Sequence, residues 1–352
     1  MRTVLFVTSH LHYGSAGRQL MLLASGLPRD AFQVRVAILG TSTPWADSLA
    51  ASGVDVEVLG RRRTFDIRPF LACSRLVRLM RPDVIHVWGM AALRAVVLSG
   101  SCDVRRLLVS KALPPTGRAG ILDSWLVRQT GGVIAFGIPE AVRYPQISYA
   151  ALAPGMNIPA DSVKPAELPG VAAEDRVIVA LGPIEPYKGF RDAVWAFDIL
   201  RHLHGDVHLV LAGTGSYRPQ VELFARRIGV LDRVHFTGAY ADPAPLLQCA
   251  ELVWAPSRHG GVCAVLEAMA AGRAVIGVHN SSLYEIVVPG ETGFLVEPGN
   301  KAALARQTRL LLDNPAERRR MGDAGRQRVG EHFSVSQLVR ASARLYNRGF
   351  GR

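Results

Sequence analysis

The residues best suited to chemistry lie in the run SRHGGVCAVLEAMAAGRAVIGV at 257–278. A β-branched segment ends near Pro256, Gly260 and Gly261 follow, and a helix pattern covers 261–271. Glycines let backbone N–H groups come close to a ligand, and a helix start presents unpaired N–H groups with partial positive charge. That combination suits an anion. Within the helix, Glu267 stands among Val265, Leu266, Ala268 and Met269. A carboxylate in apolar surroundings is costly unless hydrogen bonds satisfy it. A ribose diol offers one carboxylate two hydroxyl donors; a helix glutamate facing solvent is the other reading.

Lys188 sits in LGPIEPYKGF (181–190), just after a strand and at a helix start, where it can neutralise a diphosphate. An exposed lysine at a helix start is the bland alternative. Two points favour a role: the helix dipole disfavours cations at that end, and only four of the 41 basic residues are lysines. LAGTGS (211–216) ends another strand in a glycine turn with Gly213 and Gly215. His86, in DVIHVWG (83–89), lies at the carboxyl end of a strand, where a lone histidine is more often structural than functional. The loop HLHYGSAG (10–17) places Gly14, Ser15 and Gly17 before a helix, where they can cradle a phosphate. His10 and His12 have no evident third partner, so no metal is expected. Neither a full GxGxxG nor a GxxxxGK[ST] occurs.

Short β-branched runs alternate with helical patterns along the chain. Strands are expected at 4–8, 34–39, 54–59, 83–88, 106–110 and 132–136, with helices at 16–27 and 68–80. Fully apolar strands between helices imply a parallel sheet covered on both faces. The stretch 153–175 breaks this rhythm with four of the 21 prolines. The pattern then restarts with strands at 176–182, 207–213, 233–238, 251–256, 274–278 and 293–298. Two Rossmann-like α/β domains follow: 1–155, a linker at 156–175, then 176–330, with a C-terminal helix in 331–352 crossing back to the first domain. Strand ends of two facing sheets predict a two-substrate cleft.

The 352 residues suit two domains, and 49% apolar with 20% charged residues excludes a disordered, collagenous or coiled-coil protein. Cys73, Cys102, Cys249 and Cys263 show no CxxC and read as free thiols. No apolar window is long enough to cross a membrane. The expected location is the cytoplasm, with peripheral attachment to the inner face of the plasma membrane as an option. The net charge of +12 calls for an anionic partner. No zinc finger, RNP-like strand or long basic helix supports nucleic acid. Arg61, Arg62 and Arg63 open an arginine-rich stretch that suits an anionic membrane surface, or simply a solvated face.

These blocks resemble retaining glycosyltransferases of family 4, with the GT-B fold. The resemblance covers nearly the whole chain and is strongest over 176–300: the KG of 188–189, HLVLAGTGS, RVHFTGAY, APSRHGGVCAVLEAMAAGRAVIGV and PGETGFLVEPGN. It implies a nucleotide-diphosphate-sugar donor, a glycan or lipid-linked acceptor and no metal or other cofactor. By position, Glu267 matches the second glutamate of an E-x7-E motif that binds the donor ribose, and Lys188 the lysine on the donor phosphates. Gly14, Ser15 and Gly17 fall in the loop facing the diphosphate. Gly213, Gly215, Gly260, Gly261, Val262 and Leu266 line the donor side, and Tyr240 lies near the base. His86 falls in the block that helps form the sugar site.

Three positions depart from the pattern. The first glutamate of E-x7-E is His259 here, which with His86 makes up the catalytic candidates. The usual G-R before the lysine is Gly182-Pro183. Gly17 stands where a glutamate is common. The sequence therefore supports a sugar transferase of cell-envelope polysaccharide or glycolipid synthesis. Its alternative is a degenerate relative that binds nucleotide-sugar or a partner without efficient catalysis.

Overall fold

The computed structural model describes residues 1–11, 14–60, 66–100, 102–110, 121–136, 149–160, 162–240 and 242–348. His12 and Arg61, Arg62 and Arg63 lie outside the described residues. The chain forms two compact units, one built mainly of 1–155 with 335–348, the other mainly of 156–334.

The first unit carries a parallel sheet in the order β3-β2-β1-β4-β5-β6-β7. Its strands are β1 (Arg2–Thr8), β2 (Phe32–Ile38), β3 (Asp55–Val58), β4 (Val84–Trp88), β5 (Leu107–Ser110), β6 (Gly132–Phe136) and β7 (Tyr149–Leu152). Between them run α1 (Ser15–Gly26), α2 (Pro44–Ala51), α3 (Arg68–Met80), α4 (Met90–Leu98) and α5 (Ile121–Gln129). The last strand and α2, α4 and α5 were not expected. α2 is started by Thr43, whose hydroxyl accepts from Ala46 N, with Pro44 at its first position.

The second unit repeats the plan, in the order β10-β9-β8-β11-β12-β13. Its strands are β8 (Arg176–Leu181), β9 (Val207–Ala212), β10 (Val234–Phe236), β11 (Ala250–Ala255), β12 (Ala274–Val278) and β13 (Gly293–Val296). Its helices are α6 (Phe190–Arg201), α7 (Arg218–Arg227), α8 (Ala244–Cys249), α9 (Val262–Ala270), α10 (Ser281–Tyr284), α11 (Lys301–Asp313) and α12 (Pro315–His332). The four inner strands read as mainly apolar runs because both sheet faces are covered there. Ile178, Ala180, Leu209, Leu211, Leu252 and Trp254 enter one core cluster. Their neighbours Val177, Val179, Val210, Ala212, Val253 and Ala255 enter the other.

Residues 156–175, expected as a linker, belong to the second unit. Ala166 N donates to Pro245 O at 2.9 Å, and the Cys249 thiol donates to Ala166 O. α13 (Val335–Arg348) belongs to the first unit. Its Tyr346 is buried edge-on against Phe6 and Phe32, and Arg2 Nη1 donates to Tyr346 O at 2.7 Å.

Candidate active site

In the second sheet the strand order reverses between β8 and β11. Open α/β sheets bind ligands at such switch points, beyond the carboxyl ends of the strands. The loops after β8, β9 and β11 meet there. Glu185, after β8, accepts from Ser216 N at 3.1 Å and Ser216 Oγ at 2.7 Å, which ties the first two loops together. Ile184 N donates to Thr214 O, and Tyr217 N donates back to Ile184 O. Lys188 ends a 3-10 turn (Pro186–Lys188), and its Nζ donates to His259 O at 3.3 Å, which ties the first loop to the third. Gly189 has φ +73°, and an added Cβ would run into Pro256 O. Only glycine lets these two loops come so close.

The third loop is held from several sides. Ser257 Oγ donates to His259 O at 2.5 Å, and Asn280 Nδ2 donates to Ser257 O at 3.0 Å. Asn280 also starts α10 by accepting from Ser282 N and Leu283 N. Arg258 pairs with Asp192 at 3.3 Å, and Lys301 reaches the other oxygen of the same carboxylate at 3.3 Å. Gly260 and Gly261 both take positive φ, and Gly261 stands at the N-cap of α9 with no side chain capping the first turn. The first N–H groups of α9, from Val262 on, are thus left without a capping side chain. Burial holds the Lys188 ammonium below the usual lysine range, partly offset by the nearby Cys263 thiol. The His259 side chain is exposed.

The remaining candidates separate clearly. Glu267 is only 6% exposed on α9, so it does not face solvent. Tyr240 is half-buried against the same core cluster. Leu266 is fully buried in that core, and this removes its side chain from the ligand-facing candidates. A Cβ at Gly213 or Gly215 would run into Gly182 O or Ile184 O, so backbone packing already accounts for both glycines. Gly14 is open and half-buried, and Ser15 is exposed at the first position of α1. Gly17 lies inside the first turn of α1, not in the loop before it.

His86 is corrected outright. It is 0% exposed on β4, with Nδ1 2.7 Å from Tyr346 Oη and Nε2 2.7 Å from Ser110 Oγ. Desolvation pushes its pKa down to about 3, so the ring is neutral. Both nitrogens are spent on core partners, and the residue holds α13 to the sheet. Glu185 and Asn280, which shape the site, were not singled out from sequence. An acidic residue in a loop just after a strand was the available signal for the first. Among the described residues, no three His, Cys, Asp or Glu side chains gather as a metal site.

Comparison with known proteins bears on this geometry. Residues 167–328 match the family Glycosyl transferases group 1. That span holds Lys188, His259, the glycine pair and Glu267. The chain is 29% identical to a glycogen synthase of Mycobacterium tuberculosis over 290 residues, 76% of this chain and 69% of that protein. It is 24% identical to the lipopolysaccharide core biosynthesis glycosyltransferase LpsD of Rhizobium meliloti over 356 residues, 97% of this chain and 98% of that one. The crystal structure of Anabaena HepE in complex with UDP-glucose superposes with a TM-score of 0.83 at 18% identity, covering 99% of this chain and 100% of that one. The fold is thus shared over the full length, and it is the GT-B fold of two Rossmann-like domains.

Proposed function

We propose that this chain is a group 1 glycosyltransferase. It moves a hexose from a nucleotide-diphosphate-sugar to a glycan or lipid-linked acceptor, with retention of configuration, in cell-envelope polysaccharide or glycolipid synthesis. The observation that carries this reading is the pairing of a desolvated Lys188 with the Gly260–Gly261 turn, on the helix that buries Glu267. Lys188 and the first amides of α9 meet the diphosphate, and Glu267 accepts from the ribose hydroxyls. When the sugar–oxygen bond breaks, charge grows on the departing diphosphate, and a preorganised cation stabilises it without reorganisation. The acceptor hydroxyl attacks from the face the diphosphate leaves, and its proton passes to the departing diphosphate oxygen. His259 takes the place next to the sugar, where it hydrogen-bonds but supplies no fixed negative charge. No metal is required in this scheme, because Lys188 and backbone amides carry the charge compensation.

The reading places the enzyme in the cytoplasm, at the inner face of the plasma membrane when the acceptor is lipid-linked. No helix among the described residues is long and apolar enough to cross a membrane. The test is incubation with UDP- and GDP-sugars and an acceptor lipid extract, with and without EDTA. Transfer that survives EDTA and preserves the anomeric configuration is the expected result. Binding of UDP or GDP without transfer or donor hydrolysis across the panel would instead support the degenerate relative. In that case His259→Glu should restore turnover.

A further inference from the structure

The loop after β12 carries an aromatic pair outside the donor contacts described above. Tyr284 is 62% exposed, and His279 is exposed beside it. Their ring centroids lie 5.6 Å apart at 64°. In such an edge-to-face pair one ring gives an edge and the other gives one face, so each ring keeps an open face. Two other exposed aromatic rings of the second unit, Tyr187 and Trp195, are taken up by cations. Lys188 Nζ lies 5.4 Å from the Tyr187 ring, and Lys301 Nζ lies 5.1 Å from the Trp195 ring. Among the described residues no cation covers Tyr284.

The pair is fixed to the loop that carries His259. Asn280 Nδ2 donates to Ser257 O at 3.0 Å and to Gly260 O at 3.4 Å, on either side of His259. Its Oδ1 accepts from Ser282 N and Leu283 N, both at 3.1 Å, which sets α10. His279 N donates to Val296 O at 2.7 Å. Leu283 is fully buried, 4.0 Å from where a Cβ of Gly261 would stand, and its neighbour Tyr284 is turned outward. The carboxyl-end loops follow the strand order β10-β9-β8-β11-β12. Tyr240 follows β10, Lys188 follows β8, His259 follows β11 and His279 follows β12. At about 4.8 Å per strand, the His279 loop stands about 10 Å beyond the Lys188 loop, on the side away from Tyr240. With the diphosphate at Lys188 and the transferred sugar at His259, the next place in the row falls to the acceptor. A pyranose ring packs its face of C–H groups on an aromatic face and keeps its hydroxyls at the rim. The Tyr284 hydroxyl and the His279 ring nitrogens are polar partners for that rim. A platform already held in place loses little freedom on binding. A nucleobase would stack as well, but the row puts the base at its opposite end.

We propose that Tyr284 and His279 form a stacking subsite for a pyranose ring of the acceptor. The acceptor role rests on the transferase reading, whereas the stacking itself is measured without any transfer. The purified full chain is titrated with the methyl glycosides of glucose, galactose and mannose, with and without UDP, and saturation-transfer NMR reads the contact. At least one glycoside should bind. Tyr284→Ala should weaken that binding roughly 3- to 10-fold, the size of one aromatic contact. Tyr284→Phe should keep it, since the ring face rather than the hydroxyl makes the stack. His279→Ala should weaken it by a smaller factor. UDP affinity and the melting temperature should stay the same in all three variants, because both side chains are already exposed. The proposal is overturned if the unaltered chain binds no glycoside of the panel, or if Tyr284→Ala binds as well as the unaltered chain. Weaker UDP binding by Tyr284→Ala assigns the ring to the nucleotide and also overturns it. A chain that binds neither UDP nor GDP defeats the transferase reading, and the titration without UDP still decides whether the pair takes a pyranose ring.

Discussion

Lys188 Nζ donates to the main-chain carbonyl of His259 across 3.3 Å. The bond joins two loops 71 residues apart at the switch point of the second sheet. A neutral carbonyl is a weak counterpart for a half-buried ammonium, and a diphosphate is a stronger one. The site is therefore arranged to gain from binding an anion.

Replacing Lys188 with Ala should lower kcat/KM for the donor by about 100-fold or more, the usual cost of losing one preorganised charge donor. The melting temperature should change little. Because burial lowers the lysine's pKa, the protonated form is lost at a lower pH than for an ordinary lysine. Affinity for UDP or GDP should weaken as pH rises on the alkaline side. Lys188→Arg, which stays charged, should flatten that limb in calorimetry.

Glu267→Gln tests the proposed ribose contact. Hydrogen bonds to a charged acceptor are worth about 1.5–3 kcal/mol, so affinity for UDP should fall by roughly 10- to 100-fold. Affinity for inorganic pyrophosphate, which lacks a ribose, should stay the same. Equal losses for both ligands would move Glu267 from the ribose to the architecture of α9.

Gly189→Ala should destabilise the second unit by about 2–4 kcal/mol, since the new Cβ faces both a positive φ and the Pro256 carbonyl. Denaturant unfolding measures this directly. Gly14→Ala places a Cβ in open space, so its cost should be confined to the backbone conformation.

His86 predicts an acid-sensitive core. Its folded pKa, about 3, lies below the ordinary histidine value near 6.5. Between these values the unfolded chain binds the extra proton, so stability rises with pH across that window and is lost as pH falls through it. His86→Gln should reduce the slope of unfolding free energy between pH 4 and 6.5, to the order of one proton. It should also lower stability at pH 7, because Tyr346 and Ser110 lose a well-placed partner.

Much of the fold was legible because local exposure leaves a local trace. All six expected strands of the second unit are present: the four inner ones are mainly apolar runs buried on both faces, and the edge strands β10 and β13 are half-buried. β7 was missed because YAAL is short and carries no such run. α4 was missed because it is apolar nearly throughout, MAALRAVVL, and so shows little helical periodicity. α2 is short and is announced mainly by Thr43 and Pro44. In the site, Gly260, Gly261, Lys188 and Glu267 stood out by residue type against their neighbours. Gly213 and Gly215 stood out equally, yet they answer to Gly182 and Ile184 carbonyls that no local pattern reveals.

The sequence by itself determined the two α/β halves, the glycine turn before an apolar helix, and the rare lysine at a helix start. Periodicity and residue type encode these, because they report how each segment meets water or its own backbone. Only the tertiary structure decided that Glu267 is buried and that Glu185 holds Ser216. It also decided that His86 is closed in by Tyr346, 260 residues away, and that 156–175 is part of the second unit. Such pairings depend on which strands lie side by side. That order is set by packing of the whole sheet, and no window along the chain contains it.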